Sequence, residues 1–325
     1  MAGLLKQYEL CLDKFVRWGG VLPTTSYQVV LFLEEHGSVD RIDRLRVSSL
    51  RVYLAALKKW HTVNWGEDPT ADNRVIQKIA QLDRLERDRK IWSTKSRDMT
   101  PEEVARFEAL LCVRSGTASA RRDRALAALA LVTGYRSGML ADLEVQWLHN
   151  LDIENTNIII NRPPFKTKQY IRSVVPYTGE IFCPASWLRV YLKENKVNKG
   201  FVFRSFDGGG KLRDGAVQMH RNSVNNILKQ LIAQANITGG KLSAHTFRKT
   251  MATLSVMGNV SSVEIAAQGG WINPSTIDKH YVGDAISLLG RAPMAVIHAA
   301  KKASAQLTSF DASADDVLLD DLTAQ

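Results

Sequence analysis

The segment Leu242-Ser243-Ala244-His245-Thr246-Phe247-Arg248 indicates the fold of this chain more specifically than any other stretch of its sequence. Ser243 is a favoured N-cap residue, so the pattern predicts a helix that begins directly after it. His245 and Arg248 are then one helical turn apart and lie on the same side of the helix. We therefore expect both side chains to reach one phosphate group.

Other short segments surround this one in a fixed order. Thr133-Gly134-Tyr135-Arg136 follows the apolar run from Ala125 to Val132, and Gln268-Gly269-Gly270-Trp271 precedes Lys279-His280-Tyr281. Arginine suits phosphate because its planar fork matches two oxygens and keeps its proton. Since Arg136 and Arg248 both adjoin apolar residues, we expect both to be largely enclosed.

These residue types fit the attack of a tyrosine on a phosphodiester. A tyrosine is a weak nucleophile at the ordinary phenol pKa of about 10, so attack by Tyr281 needs a proton acceptor, for which His245 is a candidate. The departing 5′ oxygen needs a proton, which Lys166 or Lys168 on a predicted β-turn can deliver. The indole N–H of Trp271 can donate to a phosphate oxygen, although plain core packing is the alternative.

The first 95 residues are predicted to form a compact helical domain. The apolar spacing predicts four helices. The first is expected to bury Leu5, Tyr8, Leu12 and Phe15, and the second runs from Ser26 to His36. The third is expected to bury Leu50, Leu54, Leu57 and Trp60, and the fourth Val75, Ile79 and Leu82. Basic residues on these helices are candidates for contact with DNA, namely Arg51, Lys58, Lys59, Arg87 and Lys90. The charged stretch from Leu82 to Arg97 is compatible with a solvated helix end and with a DNA-contacting linker.

Residues 96–305 are predicted to form a second domain, mainly α with a small β-sheet. Thr100-Pro101-Glu102-Glu103 has the pattern of a helix start with a capping box. A strand from Ile153 to Ile160 is expected to pair with Ser173 to Pro176. Further helices are predicted at Pro184 to Glu194, Arg221 to Ala235, Ser243 to Met257, Ser261 to Gln268 and Asp284 to Lys301.

Residues 306–325 form an acidic tail in which aspartates interrupt Val317, Leu318, Leu319 and Leu322. One interpretation is a frayed end of the chain. The other is an amphipathic segment that docks on a neighbouring protomer, because so few residues cannot bury an apolar face alone.

The composition indicates which class of molecule the chain binds. Lys and Arg outnumber Asp and Glu by 43 to 33 in 325 residues, for a net charge of +10, which favours nucleic acid. No apolar run reaches the roughly 18 residues of a membrane span, and the start lacks a signal peptide pattern, so we expect a cytoplasmic, nucleoid-associated protein or one acting in a host cytoplasm. The three cysteines fit neither a disulfide framework nor a clustered zinc site, and nothing indicates a cofactor.

The ordered segments around Arg136, His245, Arg248, Trp271 and Tyr281 resemble the signature boxes of the tyrosine recombinase (phage integrase) family, and the tryptophan resembles its Cre-like branch. The resemblance spans nearly the whole chain. It implies a helical core-binding domain followed by an α/β catalytic domain, arranged as a C-shaped clamp around duplex DNA with a specific recombination site.

The resemblance also implies a mechanism: a 3′-phosphotyrosyl intermediate at Tyr281, a Holliday junction, a working homotetramer and no cofactor. Carried over by position, Arg136 and Arg248 clamp the scissile phosphate, Lys166 or Lys168 protonates the leaving oxygen, and His245 and Trp271 complete the set. The family's C-terminal segment commonly docks in trans, which suits residues 306–325. Accessory proteins are compatible with this scheme.

The chain departs from the family pattern at three places. Met139 stands where an acidic residue is usual, so Asp142 or Glu144 is expected to support Arg136. Tyr281 follows Trp271 by ten residues, one more than the pattern. The turn before Pro176 allows two registers, of which one selects Lys166, which we favour, and the other Lys168.

Two other functions fit parts of the sequence. A type IB topoisomerase or telomere resolvase shares the tyrosine chemistry, whereas the compact helical N-terminal domain favours a recombinase. A catalytically idle DNA-binding protein would need only charge and helices. It would not need Tyr281, His245 and both arginines together.

Overall fold

The computed structural model describes residues 2–90, 95–163 and 170–282. The chain divides between residues 94 and 95 into two compact units. The described residues of each unit have their own buried apolar cluster, the first centred on Phe15 and Phe32 and the second on α-helical residues 125–131. No helix among the described residues is long and apolar enough to cross a membrane.

The first unit contains the four expected helices. They are α1 (Ala2–Arg17), α2 (Ser26–Gly37), α3 (Val47–Asn64) and α4 (Asn73–Asp88). Thr25 and Asp72 cap α2 and α4, because each side-chain oxygen accepts a hydrogen bond from a backbone N–H of the first turn. The apolar faces of the helices meet in one core, as amphipathic spacing requires.

The buried stripe of α3 differs from the prediction. Leu50 and Leu57 are buried, but Tyr53 and His61 complete the stripe, while Leu54 and Trp60 are only half-buried. Positions 50, 53, 57 and 61 follow the helical repeat of 3.6 residues, and position 60 is rotated by about 100° from position 61. His61 is accommodated inside because its Nε2 accepts a hydrogen bond from the Thr24 N–H at 3.1 Å.

The other two stripes are also only partly as predicted. Phe15, Val75 and Leu82 are buried, whereas Tyr8, Leu12 and Ile79 are half-buried at the edge of the core. The side chain of Leu5 lies outside the described residues.

The second unit is mainly helical, as predicted. Its helices are α5 (Pro101–Val113), α6 (Ala118–Thr133), α7 (Ser137–Ala141), α8 (Pro184–Glu194), α9 (Arg221–Gln234), α10 (Ala244–Met257) and α11 (Ser262–Gly269), followed by a short turn of helix at Ser275–Ile277 and a π-helical turn at Asp278–Val282. The capping box at Thr100 and Glu103 and the N-cap at Ser243 are confirmed. The predicted helix from Asp284 to Lys301 lies outside the described residues.

A three-stranded antiparallel sheet accompanies these helices, in the order β1 (Leu148–His149), β2 (Ile158–Arg162) and β3 (Ile171–Val175). The predicted start of β2 at Ile153 is wrong, because the residues before Ile158 form turns with Asn155 at a positive φ of 56°. Pairing of Ile160 with Ser173 confirms the predicted hairpin. The sequence analysis missed β1.

Helix α6 is the central element of the second unit. Residues 122–131 are all buried, so the helix is covered on every side. It ends at Gly134, which adopts the left-handed conformation with a φ of 62°. A Cβ atom at this glycine would lie 2.7 Å from the Met251 side chain, so the chain can pass close to α10 here. This turn brings residues 134–136 next to the start of α10.

Candidate active site

Arg248 lies in the first turns of α10 and is 1% exposed, which confirms the predicted enclosure. Its Nη1 donates to the carbonyl oxygens of Gly134 at 2.8 Å and Gly269 at 2.6 Å. Its Nε and Nη2 are buried and have no hydrogen-bond partner within the described part of the chain. Nη1 of the guanidinium is thus anchored to two loops, and the two other nitrogens, Nε and Nη2, make no hydrogen bond among the described residues.

Burial and, to a smaller extent, the positive charge of Arg136 lower the pKa of Arg248 to about 9. A negative charge on Tyr281 would act in the opposite direction. With a pKa of about 9, Arg248 remains a cation at neutral pH. Among the described residues no carboxylate forms an ion pair with Arg248. A buried cation without such a partner is costly, so an anionic ligand would relieve part of that cost.

Trp271 packs directly on Arg248. The guanidinium carbon lies 3.3 Å from the centroid of the indole ring, an arrangement in which the electron-rich ring face stabilises the cation. The two glycines before Trp271 make this possible. A Cβ atom at Gly269 would lie 1.9 Å from the indole, and Gly270 ends α11 in the left-handed conformation with a φ of 63°. Trp271 therefore packs in the interior while touching the candidate site.

Tyr281 is part of the same cluster. It lies in the π-helical turn Asp278–Val282, is 7% exposed, and contacts the Trp271 ring edge-on with centroids 5.9 Å apart. Ile277 is fully buried beside these rings and anchors the turn. The π-helical turn accommodates the additional residue between Trp271 and Tyr281, since such a turn widens a helix locally.

Arg136 is exposed, so the prediction that it is largely enclosed is wrong. It is the N-cap residue of α7 and has an extended backbone, with a φ of −66° and a ψ of 152°. The neighbouring residue Tyr135 is buried instead, because the left-handed turn at Gly134 directs position 135 inward. Arg136 nevertheless lies close enough to His245 and Arg248 to lower the pKa of each.

The expected support of Arg136 by Asp142 or Glu144 stays a prediction, and both carboxylates have other partners among the described residues. An Asp142 oxygen lies 3.2 Å from Nη2 of Arg162, and Asp142 also accepts a hydrogen bond from Gln218. Glu144 accepts one from Gln146 at 2.6 Å. Met139 instead belongs to the apolar core of the second unit.

His245 is in the first turn of α10 and is exposed. Partial burial of its ring, followed by the positive charges of Arg248, Arg136 and Lys249, lowers the pKa of His245. The neutral imidazole is therefore favoured at neutral pH, and a neutral imidazole can accept a proton. Lys249 was not predicted from the sequence as a neighbour of this site.

Lys166 and Lys168 lie outside the described residues, as does the tail at residues 306–325. The strands on either side of residues 164–169 are described, and β3 runs beside α11. Its Ser173 and Val174 are hydrogen-bonded to Gln268, the residue directly before Gly269. Strand β3, which follows the two lysines in sequence, is thus fastened beside the loop that holds Arg248.

The sequence analysis missed Gln268 and Ser173 as parts of the site. The hydroxyl of Tyr135 donates to Ser173 Oγ at 2.8 Å, and Ser173 Oγ donates to the Gln268 carbonyl at 2.6 Å. The one available signal was a serine between the apolar residues of a predicted strand, which indicates a buried hydroxyl only when its partner is known. The chain of hydrogen bonds links three segments that are distant in sequence.

The candidate DNA contacts of the first unit are all exposed. Arg51 and Arg87 share Asp83, at 3.5 and 3.6 Å, and Lys58 lies 3.2 Å from Asp68. Lys59 has no ion-pair partner within residues 2–90, 95–163 and 170–282. Lys90 follows the end of α4 and has a φ of 51°. Exposed ion pairs of this kind contribute little to stability, so these cations remain available to an anionic surface.

A model of the phage integrase family matches residues 97–286, more than half of the chain. Among solved structures, a XerH site-specific recombinase bound to a palindromic difH substrate, in a post-cleavage complex, is 16% identical with a TM-score of 0.60. The match covers 89% of this chain and 78% of that chain. A search of curated proteins found no significant match.

Two further structures have similar scores. A lambda integrase dimer bound to a COC′ core site is 14% identical, with a TM-score of 0.54, over 87% of this chain and 89% of that one. A Tn1549 transposon integrase in complex with transposon right end DNA is 13% identical, with a TM-score of 0.54, over 87% and 92%. These likenesses show a shared fold. Together with the family match over the segment that holds Arg136, Arg248 and Tyr281, they lead to one conclusion: this chain belongs to the phage integrase family of tyrosine recombinases and is a site-specific recombinase.

Proposed function

We propose that this recombinase cleaves duplex DNA with Tyr281 as the nucleophile and Arg248 and Arg136 as the phosphate clamp. The observation that carries the proposal is the environment of Arg248. This cation is 1% exposed, has two uncommitted donor nitrogens, and lies within electrostatic range of both Arg136 and Tyr281. Fixed donors in a dry environment are what a phosphodiester needs as it gains negative charge during attack.

Tyr281 is the better nucleophile by comparison with the other tyrosines near the core. Burial raises the pKa of Tyr135 to about 12, and its hydroxyl is committed to Ser173. Burial likewise raises the pKa of Tyr191 to about 12, and its hydroxyl donates to the Val202 carbonyl. Neither oxygen is available for attack, whereas Tyr281 lies within electrostatic range of Arg248.

The proposed step balances as a transesterification. The phenol oxygen of Tyr281 bonds to phosphorus while the bond from phosphorus to the 5′ oxygen breaks. The phenol proton passes to a base, for which neutral His245 is our candidate, and the 5′ oxygen takes a proton from Lys166 or Lys168. One phosphodiester is exchanged for another, so resealing is the same step in reverse.

Arg248 is buried, and the Trp271 ring packs on its guanidinium. A phosphate can reach Nε and Nη2 only when this cover shifts. The proposal therefore couples the arrival of DNA to a movement of the segment from Trp271 to Tyr281. Both residues belong to a small apolar cluster separate from the main core of the second unit, which limits the cost of such a movement.

The partners are proposed by analogy with the structural neighbours. The XerH structure contains a difH substrate, and a lambda integrase tetramer, with a TM-score of 0.52, is bound to a Holliday junction. We accordingly propose duplex DNA with a specific site as the substrate and a homotetramer as the working assembly, with accessory proteins as possible additions. A recombinase acts where its DNA is, so we assign it to the nucleoid or to a host cytoplasm.

We also propose a role for each of the three parts of the chain. Residues 1–95 would form the core-binding domain, with Arg51, Lys58, Lys59, Arg87 and Lys90 as contacts to the DNA backbone. Residues 96–305 would form the catalytic domain, and residues 306–325 a tail that docks on a neighbour. Trp271 supports a relation to the Cre-like branch.

Covalent trapping tests this function. The protein is mixed with nicked duplexes tiled across the DNA that flanks its coding sequence, and adducts are separated on denaturing gels. We expect a slowly migrating adduct with the wild-type protein and none with Tyr281→Phe, while both bind DNA equally. Tight binding by both proteins with no adduct on any duplex would favour an idle DNA-binding protein.

A further inference from the structure

Gln268 occupies an unusual position at the end of α11, where its side chain is half-buried against two other segments. Its Oε1 accepts a hydrogen bond from the Val174 N–H at 2.9 Å, and its Nε2 donates to the Val174 carbonyl at 2.7 Å. The same Nε2 donates to the Val132 carbonyl at 3.0 Å. The amide thus joins α11, the edge strand β3 and the end of α6.

The contact with Val174 imitates strand pairing. The sheet order places β3 at an edge, and Val174 would otherwise present an unpaired N–H and carbonyl there. The Gln268 side chain satisfies both groups, as the backbone of a further strand would. The backbone of Gln268 adds a third hydrogen bond to β3, because Ser173 Oγ donates to the Gln268 carbonyl at 2.6 Å.

The neighbouring residue connects this junction to the phosphate clamp. The carbonyl of Gly269 accepts the hydrogen bond from Arg248 Nη1. Val132, the other contact of Gln268, is two residues before Gly134, whose carbonyl accepts from the same Nη1. Gln268 therefore ties together the two loops that hold Arg248 and fastens β3 to both of them.

We propose that Gln268 is a positioning residue that fixes strand β3 relative to the two loops that hold Arg248, and that transfer of a proton to the leaving 5′ oxygen depends on this placement of β3. This inference rests on the proposed function, in which a lysine between β2 and β3 is the proton donor. A misplacement of a catalytic group by about 1 Å costs roughly 100-fold in rate, so three hydrogen bonds on one strand edge are enough to matter.

The test uses the chemistry of the leaving group. When sulfur replaces the bridging 5′ oxygen of a suicide duplex, the leaving thiolate belongs to an acid with a pKa of about 8.5 and needs no proton donor. A defect in proton delivery is then rescued, whereas a defect in the arginine clamp or in folding persists. The substrate is the duplex that the wild-type protein cleaves best in the tiled set.

The variant is Gln268→Met, which keeps the length and the packing of the side chain and removes its three hydrogen bonds. We expect cleavage of the oxygen duplex to slow by roughly 100-fold, with cleavage of the sulfur duplex close to the wild-type rate and DNA affinity unchanged. Ser173→Ala removes the hydrogen bond from Ser173 Oγ to the Gln268 backbone carbonyl. It should likewise slow cleavage of the oxygen duplex and leave cleavage of the sulfur duplex close to the wild-type rate. Gln230→Met, an exposed glutamine of α9, is the matched control and should cleave both duplexes normally.

Each outcome separates the inference from the function on which it rests. Equal slowing of both duplexes by Gln268→Met, or no slowing of either, would overturn the positioning role. A double Lys166→Ala, Lys168→Ala variant should show the same rescue by sulfur, and its absence would remove the lysine donor and the inference together. If the wild-type protein forms no adduct with either duplex, the proposed function itself fails.

Discussion

The guanidinium of Arg248 shows how one residue serves structure and chemistry together. Its Nη1 bridges two carbonyl oxygens from distant loops, and its ring-facing surface is covered by Trp271. Arg136 differs because it is exposed and lies at the start of a short helix. The two arginines therefore contribute the same kind of charge to the site but very different amounts to the fold.

Lysine substitutions separate these contributions. A lysine keeps the charge but lacks the planar fork, so both Arg248→Lys and Arg136→Lys should slow covalent adduct formation by roughly 10²–10³-fold. Only Arg248→Lys should also lower the free energy of unfolding, by about 1–3 kcal/mol, because it leaves buried carbonyls without a donor. Urea denaturation and single-turnover cleavage measure the two effects. Equal stability of both variants would show that the bridging bonds are unimportant.

The pH dependence of cleavage reports on His245. Its pKa is lowered in the folded protein, so the neutral base is present at neutral pH and is lost only as the pH falls through that lowered value. The acid limb of kcat/KM should thus lie below the ordinary histidine pKa of about 6.5, and should disappear in His245→Gln. The same shift destabilises the fold as the pH falls below the unfolded-state pKa, because the unfolded state binds the proton more readily. An acid limb above 6.5 would contradict a role for a depressed His245.

At the scale of elements, the ends of helices decide the geometry of the site. Helix α6 ends at Gly134, α11 ends at Gly270, and α10 begins at Ser243, and these three ends converge on Arg248. The π-helical turn at Asp278–Val282 then places Tyr281 against Trp271. Each end depends on a glycine or a capping serine with a specific backbone requirement.

Gly269→Ala tests the fit between α11 and the indole ring. A Cβ atom there would lie 1.9 Å from Trp271, so the ring must move away from Arg248. We expect a loss of stability of about 1–3 kcal/mol from overpacking, together with slower cleavage. Gly116→Ala is the control, since nothing lies within 4 Å of a Cβ atom at that position. Normal cleavage by Gly269→Ala would mean that the stacking of Trp271 on Arg248 is dispensable.

Helix positions were predictable from sequence because caps and apolar periodicity are local signals. The start of α5 at Pro101 and the cap at Ser243 follow from neighbouring residues alone. The exposure of Arg136 and the start of β2 at Ile158 did not follow, since both depend on left-handed turns at Gly134 and Asn155. The role of Gln268 could not be predicted, because its partners Val132 and Val174 are 136 and 94 residues away in sequence, respectively.

At the scale of the whole molecule, charge governs the encounter with DNA. The net charge of +10 gives any anionic polymer a general attraction to this chain. The basic side chains of the first unit differ in whether they already form ion pairs with carboxylates of the protein. Arg41 contacts both Glu35 and Asp43, whereas Lys59 is exposed beside the paired Lys58.

The salt dependence of binding distinguishes these cations. If Lys59 contacts a phosphate, Lys59→Gln should reduce the slope of log K against log salt by about one, across all sequences. Arg41→Gln, which removes an exposed charge that is matched within the protein, should change the slope little. Fluorescence anisotropy with a non-cognate duplex over a range of salt concentrations measures both. Identical slopes for the two variants would exclude Lys59 from the DNA contact.

The identity of the tyrosine attached to DNA tests the proposed chemistry most directly. Adducts formed on a nicked duplex are digested with protease and nuclease, and the modified peptide is sequenced by tandem mass spectrometry. We expect one nucleotide joined through its 3′ phosphate to Tyr281, in the peptide that contains Lys279 and His280. Attachment to another tyrosine, such as the exposed Tyr170, or linkage through a 5′ phosphate would show that the cluster around Arg248 does not perform the reaction assigned to it here.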